Sequence, residues 1–518
     1  MLAARTYDAI VIGAGHNGLV AALRLARAGR KVTIVERRSD VGGLCAATGL
    51  HPGYRVPGLL HDTTGVRRDV VAALGLSRFG LEFEPEAPSV LAAHSEHRGV
   101  VLHADGGRSR DELEALHKGD GDSYVQWRGF LSRVRGFVSG VLNRRPPPLR
   151  PRSLPELWSL GRTGLALRSL GNPDMLELLR VAPICVADWL QEQFKDPLLP
   201  AALAGPAQTG AFLGPRAAGS AAGLLLYECV RGPEVRGGPA ALVASLRKAF
   251  EAAGGQIRLE AEVARILIDG RAVSGVRFAD GQSLEASVVV AACDPKRALL
   301  DLIEPGVLPL RVEEQIGAVR MRGTTAKVNL ALDGRLTFRG RQGERHARAF
   351  VADDLDEIER AFDAAKYRAC SERPHLDVSV PSVGDASLAP EGKDVVSILA
   401  HCAPHDLEGG WSDEASARFA DAVIEALERV APGTKQRIVA REVLSPADIE
   451  ARYGLTGGQI QHGEHALDQL LFMRPAPALA RYKTPIEGLY LGGSGSHPGG
   501  GVTCQPGALA AQTILEGN

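Results

Sequence analysis

The sequence predicts an α/β fold, and three stretches near its amino end carry that prediction. Residues 7–12 (YDAIVI) form a short apolar run, the pattern of a parallel strand buried on both faces, and lead directly into Gly13-Ala14-Gly15-His16-Asn17-Gly18. A helical period follows, in which Leu19, Leu23 and Ala26 recur at i, i+4 and i+7 while Arg24 and Arg27 fall opposite, and Gly29 is placed to end it. Residues 31–36 (KVTIVE) read as the second strand. A strand, glycine turn, helix and strand closed by an acid, all within about 30 residues, is the context in which a G-x-G-x-x-G motif denotes a Rossmann-like dinucleotide unit.

Each piece of that unit has a physical task. Gly13 permits the tight turn, Gly15 lets a pyrophosphate approach the backbone, and Gly18 lets helix and strand pack closely, while the helix amino terminus faces the phosphate charge. Glu36 is expected on the ribose hydroxyls. Val41-Gly42-Gly43 follows after a short loop and brings a second pair of small residues toward the phosphates, an ordinary turn being the alternative. This extension resembles that of flavoproteins of the glutathione-reductase and amine-oxidase type, which favours FAD over NAD. A disulfide reductase would need a close redox cysteine pair; Cys45 has no near partner in sequence, and no second G-x-G-x-x-G stands in a strand-to-helix context.

Between residues 237 and 294 a helix with Leu242, Leu246 and Phe250 on its buried side ends at Gly254-Gly255. Strands are expected at 257–260, 263–268, 273–278 and 288–292, with turns at Asp269-Gly270 and Asp280-Gly281. Near the carboxyl end, residues 488–503 read as a strand, a glycine loop and the start of a helix running from about 504 to 515, with Thr503 as its cap. The amino end of that helix suits the negative charge that gathers on a reduced flavin; a bare phosphate loop is the alternative.

Composition removes several classes. At 518 residues the chain has room for about three domains or two large lobes and a sizeable core. Lys plus Arg number 60 against 61 for Asp plus Glu, so no overall field exists to hold nucleic acid. With 45% hydrophobic and 23% charged residues the chain is not of the disordered class. Its seven cysteines are odd in number and widely spaced, which argues against a disulfide framework or a zinc site and for a reducing compartment. No signal peptide opens the sequence and no stretch of about 18 apolar residues occurs, so a cytoplasmic location is expected, with membrane association at most peripheral.

Taken in order, GAGHNGLVAALRLARAG, the VGG extension, RGGPAALVASLRKAFEAAGG and RPAPALARYKTPIEGLYLGGSGSHPGGGV resemble the FAD-dependent phytoene desaturase and carotene ketolase-like oxidoreductases of the amine-oxidase-type flavoprotein superfamily. The resemblance spans residues 7 to about 515, dense in those blocks and thin between them. It implies an FAD lobe split in sequence (1–60, 227–295 and 482–518) and an α+β substrate lobe (61–226 and 296–481). It also implies oxidation by hydride transfer from an apolar, polyene- or isoprenoid-like substrate to flavin, with O2 or a quinone reoxidising the flavin. Motif and resemblance together place Gly13, Ala14, Gly15, Asn17, Gly18, Glu36, Arg37, Gly42, Gly43, Val263, Gly493, Gly500, Gly501 and Val502 on FAD, Val263 through its backbone at the adenine. The chain departs from amine oxidases in carrying Leu44-Cys45 where they usually have Arg, and Ser494 to Ser496 where Ala-Gly-Thr is commoner. Ketolation or amine oxidation remains an alternative, as does a non-catalytic escort protein, which the intact glycine motifs disfavour.

Between the blocks, single residues carry less. His497 precedes the terminal glycines, and His61 with Asp62 stands where the chain leaves the FAD lobe; each is a candidate proton acceptor or a structural residue. His462 and His465 form an H-x-x-H pair without a third ligand nearby, so a loop is expected and no metal. Residues 144–168 hold six arginines against one acid, Glu156, interleaved with leucines and Trp158. That composition fits either a solvated face or a basic amphipathic edge resting on a membrane, interrupted by prolines.

Overall fold

The computed structural model describes residues 7–148, 151 and 153–517. Its first sheet grows from the amino-terminal unit: β1 (Tyr7–Ile12) lies between β2 (Val32–Val35) and β10 (Ser283–Ala291), all parallel. Outside them lie β7 (Gln256–Arg258) beyond β2 and β16 (Leu489–Leu491) beside β10, also parallel. The amino half of β10 leaves that layer to pair with β9 (Ala272–Phe278), which pairs in turn with β8 (Val263–Asp269), giving an antiparallel meander. Three distant stretches of sequence thus contribute to one sheet.

Helix α1 (His16–Arg27) packs on this sheet with Leu19 and Leu23 fully buried, each contributing roughly 2 kcal/mol by the area it removes from water. The carboxyl-terminal helix, α7 (Gln505–Glu516), lies against α1, where Arg24 Nη1 donates to the Ala508 carbonyl at 2.8 Å. It begins one residue later than expected: Cys504, at φ 67°, holds the cap position, and Thr503 Oγ1 accepts from Gln505 N at 3.4 Å.

A second sheet is built from the remaining chain in the order β15 (Ile438–Leu444), β11 (Thr325–Leu332), β14 (Asp394–His401), β13 (Leu376–Ser379), β12 (Arg348–Val351), β5 (Val90–Ala93) and β6 (Val100–Leu102). All its pairings are antiparallel except β12 with β5. The hairpin β3 (Thr48–His51) and β4 (Tyr54–Val56) lies within the segment expected in the FAD lobe, yet it packs on this second sheet, with Tyr54 OH donating to the Leu332 carbonyl at 3.0 Å.

Helices α2 (Asp120–Leu142), α4 (Asn172–Val181) and α5 (Ser220–Val230) share a core with β5, β6 and β12, α3 (Leu154–Arg168) lies outside them against α2 and α4, and α6 (Gly238–Ala252) returns the chain to the first lobe. Of the arginine-rich stretch 144–168, residues 149, 150 and 152 lie outside the described residues. Among the described residues no helix is long and apolar enough to cross a membrane.

Candidate active site and cofactor cleft

The carboxyl ends of β1 and β2 and the amino end of α1 open onto a cleft of about 980 Å³. Gly15 is the cap residue of α1 and no side chain caps that helix, so its first N–H groups stay available to a ligand. The Gly42 N–H bonds the Ala14 carbonyl at 2.8 Å, and Glu36 accepts from the N–H groups of Ala14 (2.8 Å) and Arg38 (2.9 Å). The two glycine loops are therefore tied together by their own backbones.

Whether a dinucleotide fits is tested by the glycines. A Cβ built on Gly18 would lie 2.1 Å from the Gly13 carbonyl oxygen, so close packing requires glycine there, whereas a Cβ on Gly15 would meet no protein atom within 4 Å. The free space at Gly15 is on the cleft side, where a pyrophosphate would approach the backbone. His16 Nε2 and Asn17 Oδ1 are buried without protein partners, two polar atoms that await a ligand. These residues fit FAD.

The expected cofactor residues divide by position. Gly13, Gly15, Asn17, Gly18, Glu36, Arg37, Gly43 and Val263 line the cleft. Ala14 and Gly42 lie behind it and join the loops. From the terminal loop, Ser494 lines the cleft and accepts from Asn17 Nδ2 at 3.0 Å. Gly493 instead seals that loop onto β10, where a Cβ would lie 2.6 Å from the Ala292 carbonyl oxygen. Gly500, Gly501 and Val502 line a second cavity of about 1140 Å³. Leu60 belongs to both walls, so the two spaces adjoin.

The second cavity has an apolar wall formed by Leu142, Leu226, Val230, Phe350 and Leu399, and a polar patch of His61, Asp62, Tyr227 and Asp377. His61 Nε2 stands 3.3 Å from Asp377 Oδ2, and its Nδ1 3.2 Å from Ser397 Oγ. Behind them Lys327 Nζ, fully buried in β11, donates to the Leu59 carbonyl (2.7 Å) and Ser397 Oγ (2.6 Å) and stands 3.4 Å from His61 Nδ1. Arg348 pairs with Asp377 (3.2 Å) and Glu234 (3.0 Å), and Tyr227 OH donates to Asp62 at 3.0 Å.

Burial governs the protonation of this patch. It lowers His61 to about 4, against the pull of Asp377 and reinforced by Lys327, so the imidazole is neutral near pH 7, and Asp377 is the group that would stabilise a proton taken there. It lowers the Lys327 ammonium to about 7. Burial alone would raise Asp377, but the Arg348 guanidinium and His61 outweigh it and hold the carboxyl below the usual range.

Of the two histidines expected at the chemistry, the structure brings His61 to the cavity and not His497. The His497 ring is fully buried, lines neither space and sits against the backbone of Val141, Leu142 and Arg144. His462 lines the cleft and His465 the cavity, and among the described residues no cluster of ligating side chains could hold a metal ion. Lys327, Asp377, Arg348 and Tyr227 were not singled out from sequence. The available signal was a charged residue inside an apolar strand: all eight residues of β11 are buried, Lys327 among them.

A glycine-lined dinucleotide cleft sharing a wall with an apolar cavity defines an FAD-dependent oxidoreductase. The chain belongs to the flavin-containing amine oxidoreductase family, whose model matches residues 18–511. It is 32% identical to mouse (Mus musculus) pyridine nucleotide-disulfide oxidoreductase domain-containing protein 2, covering 98% of this chain and 93% of that one. It is 28% identical to the neurosporene-forming phytoene desaturase of Rhodobacter capsulatus, over 98% of this chain and 93% of the desaturase. Its fold matches cyclohexylamine oxidase from Brevibacterium oxydans with a TM-score of 0.55 at 16% identity, covering 98% and 97% of the two chains.

Proposed function

We propose that this FAD-dependent oxidoreductase draws a hydride from an apolar, polyene- or isoprenoid-like substrate held in the cavity beside the cleft, with O2 or a quinone as the final electron acceptor. The observation that carries this reading is the cavity's apolar wall, in which Leu142, Leu226, Val230, Phe350 and Leu399 offer dispersion contact and no hydrogen bonds. When bound, FAD supplies a two-electron acceptor. The chain's own residues do the rest: the apolar wall excludes water and aligns the substrate, and neutral His61, backed by Asp377, takes the proton that accompanies loss of the hydride.

Anaerobic mixing of the FAD-loaded protein with polyenes tests this. Bleaching of the flavin's visible band supports it, and an unchanged band with polyenes but bleaching with amines overturns it. Amine oxidation is the second reading, and Asp62 favours it, since a cavity-lining carboxylate whose side chain is 26% exposed can hold a cation. Against it, Arg348 already stands 3.6 Å from that carboxylate.

A further inference from the structure

Helix α3 carries large apolar side chains on its solvent side, against the usual pattern of a surface helix. Leu154, Leu157, Trp158 and Leu165 fall at i, i+3, i+4 and i+11, on one stripe, and they are 82%, 52%, 70% and 63% exposed. No residue of α3 is buried. Its inner side is held by Leu167, partly buried against the helical core, and by Arg481 donating to Glu156 at 3.1 Å. The neighbouring α4 extends the surface with Leu176 and Leu179, 62% and 54% exposed. So many exposed large apolar side chains on two touching helices mark a docking face.

The charges around it select the occupant. Among the described residues, Arg144, Arg162 and Arg168 have no carboxylate within ion-pair distance, and Arg162 and Arg168 flank the stripe one turn from Trp158 and Leu165. The nearby acids are already neutralised: Glu156 by Arg481, Asp174 by Arg133 and Glu177 by Arg180. The face is thus apolar with an unneutralised cationic border. A second copy seated on it about a twofold axis would bring these arginines against one another. An anionic bilayer would take the leucines and Trp158 into its acyl boundary and the arginines at its headgroups.

We propose that α3 and α4 form a docking surface for an anionic lipid bilayer, entered by Leu154, Leu157, Trp158 and Leu165. Helix α2, which precedes this face in the chain, ends at Leu142 in the wall of the substrate cavity. The proposal does not depend on the substrate's identity.

The test is flotation of the full-length, FAD-loaded protein with vesicles of equal parts phosphatidylcholine and phosphatidylglycerol, and with phosphatidylcholine alone. We expect flotation with the anionic vesicles, weakened by salt, and a blue shift of tryptophan emission that W158S removes, since Trp127 and Trp189 are buried and Trp411 packs half-buried against the core of the second sheet. The double variant W158S/L165S should lose flotation while keeping bound flavin and thermal stability, both substitutions being at the surface. R162Q/R168Q should weaken partitioning on the order of tenfold. The proposal is overturned if the protein does not float, if W158S/L165S floats as well as the parent, or if that variant instead dissolves a dimer seen in sedimentation.

Discussion

Asn17 Nδ2 donates to Ser494 Oγ at 3.0 Å, a bond between residues 477 positions apart that closes the first glycine turn on the last. Both side chains line the cofactor cleft. The amino-terminal turn and the terminal loop therefore form one continuous cradle. Residues on it serve one of two purposes, holding the protein together or leaving room for the dinucleotide, and substitution separates them.

Gly15 and Gly18 give the sharpest separation. Gly15→Ala should leave apoprotein stability unchanged, because Gly15 has φ −66° and its added methyl meets no protein atom within 4 Å. The methyl enters the cleft, however, so FAD affinity should fall at least about tenfold, some 1.4 kcal/mol. Gly18→Ala drives its Cβ to 2.1 Å from the Gly13 carbonyl and should lower both apoprotein stability, by about 1–3 kcal/mol, and FAD binding. Apoprotein melting and FAD titration of the pair check this; equal losses of stability would refute the division.

What could be read from the sequence was local. The β1–α1–β2 unit announced itself because strand period, glycine spacing and helix period all fall within 30 consecutive positions. Cys504 shows the limit even there, since nothing in a cysteine announces φ 67°, and the cap was expected one residue early at Thr503. His497 adjoins cleft-lining residues in sequence, but its ring turns to the backbone of 141–144. The polar patch was illegible for a different reason: Lys327 meets Leu59 from 268 positions away, and His61 meets Ser397 from 336. A strand pattern fixes which face a residue takes, but not which charged group from another element will stand opposite it.

Asp377 should govern acid stability. It is ion-paired to Arg348 and lies 3.3 Å from the neutral His61 ring in a buried setting, and Asp377→Asn would strip one carboxylate from a guanidinium that keeps Glu234 and Asp62, at a cost of about 1–3 kcal/mol near neutral pH. Its folded-state value lies below the unfolded 3.8, so the stabilisation is present above that pH and is lost as pH falls through the folded value. Chemical unfolding of parent and variant should show a constant gap at neutral and mildly acidic pH that closes only at pH below 3.8. A gap already closing near pH 6 would count against the assignment.

Lys327 carries a slope of the same sign, but in the alkaline range. Its ammonium falls to about 7 in the folded protein from 10.5, so across that interval the unfolded chain binds more protons and folding stability from this group rises with pH. Lys327→Met removes the titration while keeping a chain of similar volume. The stability of the parent minus that of Lys327→Met should therefore climb between pH 7 and pH 10.5, by up to about 4 kcal/mol. Taking the difference cancels the buried thiols and phenols common to both proteins. A flat difference would mean that the amine is not desolvated as its contacts require.

Arg474 should be the residue on which cleft and cavity jointly depend. Its guanidinium is fully buried with no carboxylate among its partners, and it donates to the carbonyls of Gln461, Gly463, Glu464, Gln469 and Ser494. Ser494 lines the cleft and Gln461 the cavity, so this one side chain fixes a wall of each. Arg474→Met strips the donor from five buried carbonyls and should cost roughly 3–5 kcal/mol, each orphaned acceptor being worth on the order of 1 kcal/mol. Arg474→Lys keeps the charge but lacks the planar fork, and should recover only part of the loss. Flavin dissociation should quicken in both variants, and limited proteolysis should find new cuts within 461–474. Full rescue by lysine would show that charge alone matters there, and intact flavin retention in Arg474→Met would show that the two walls stand without it.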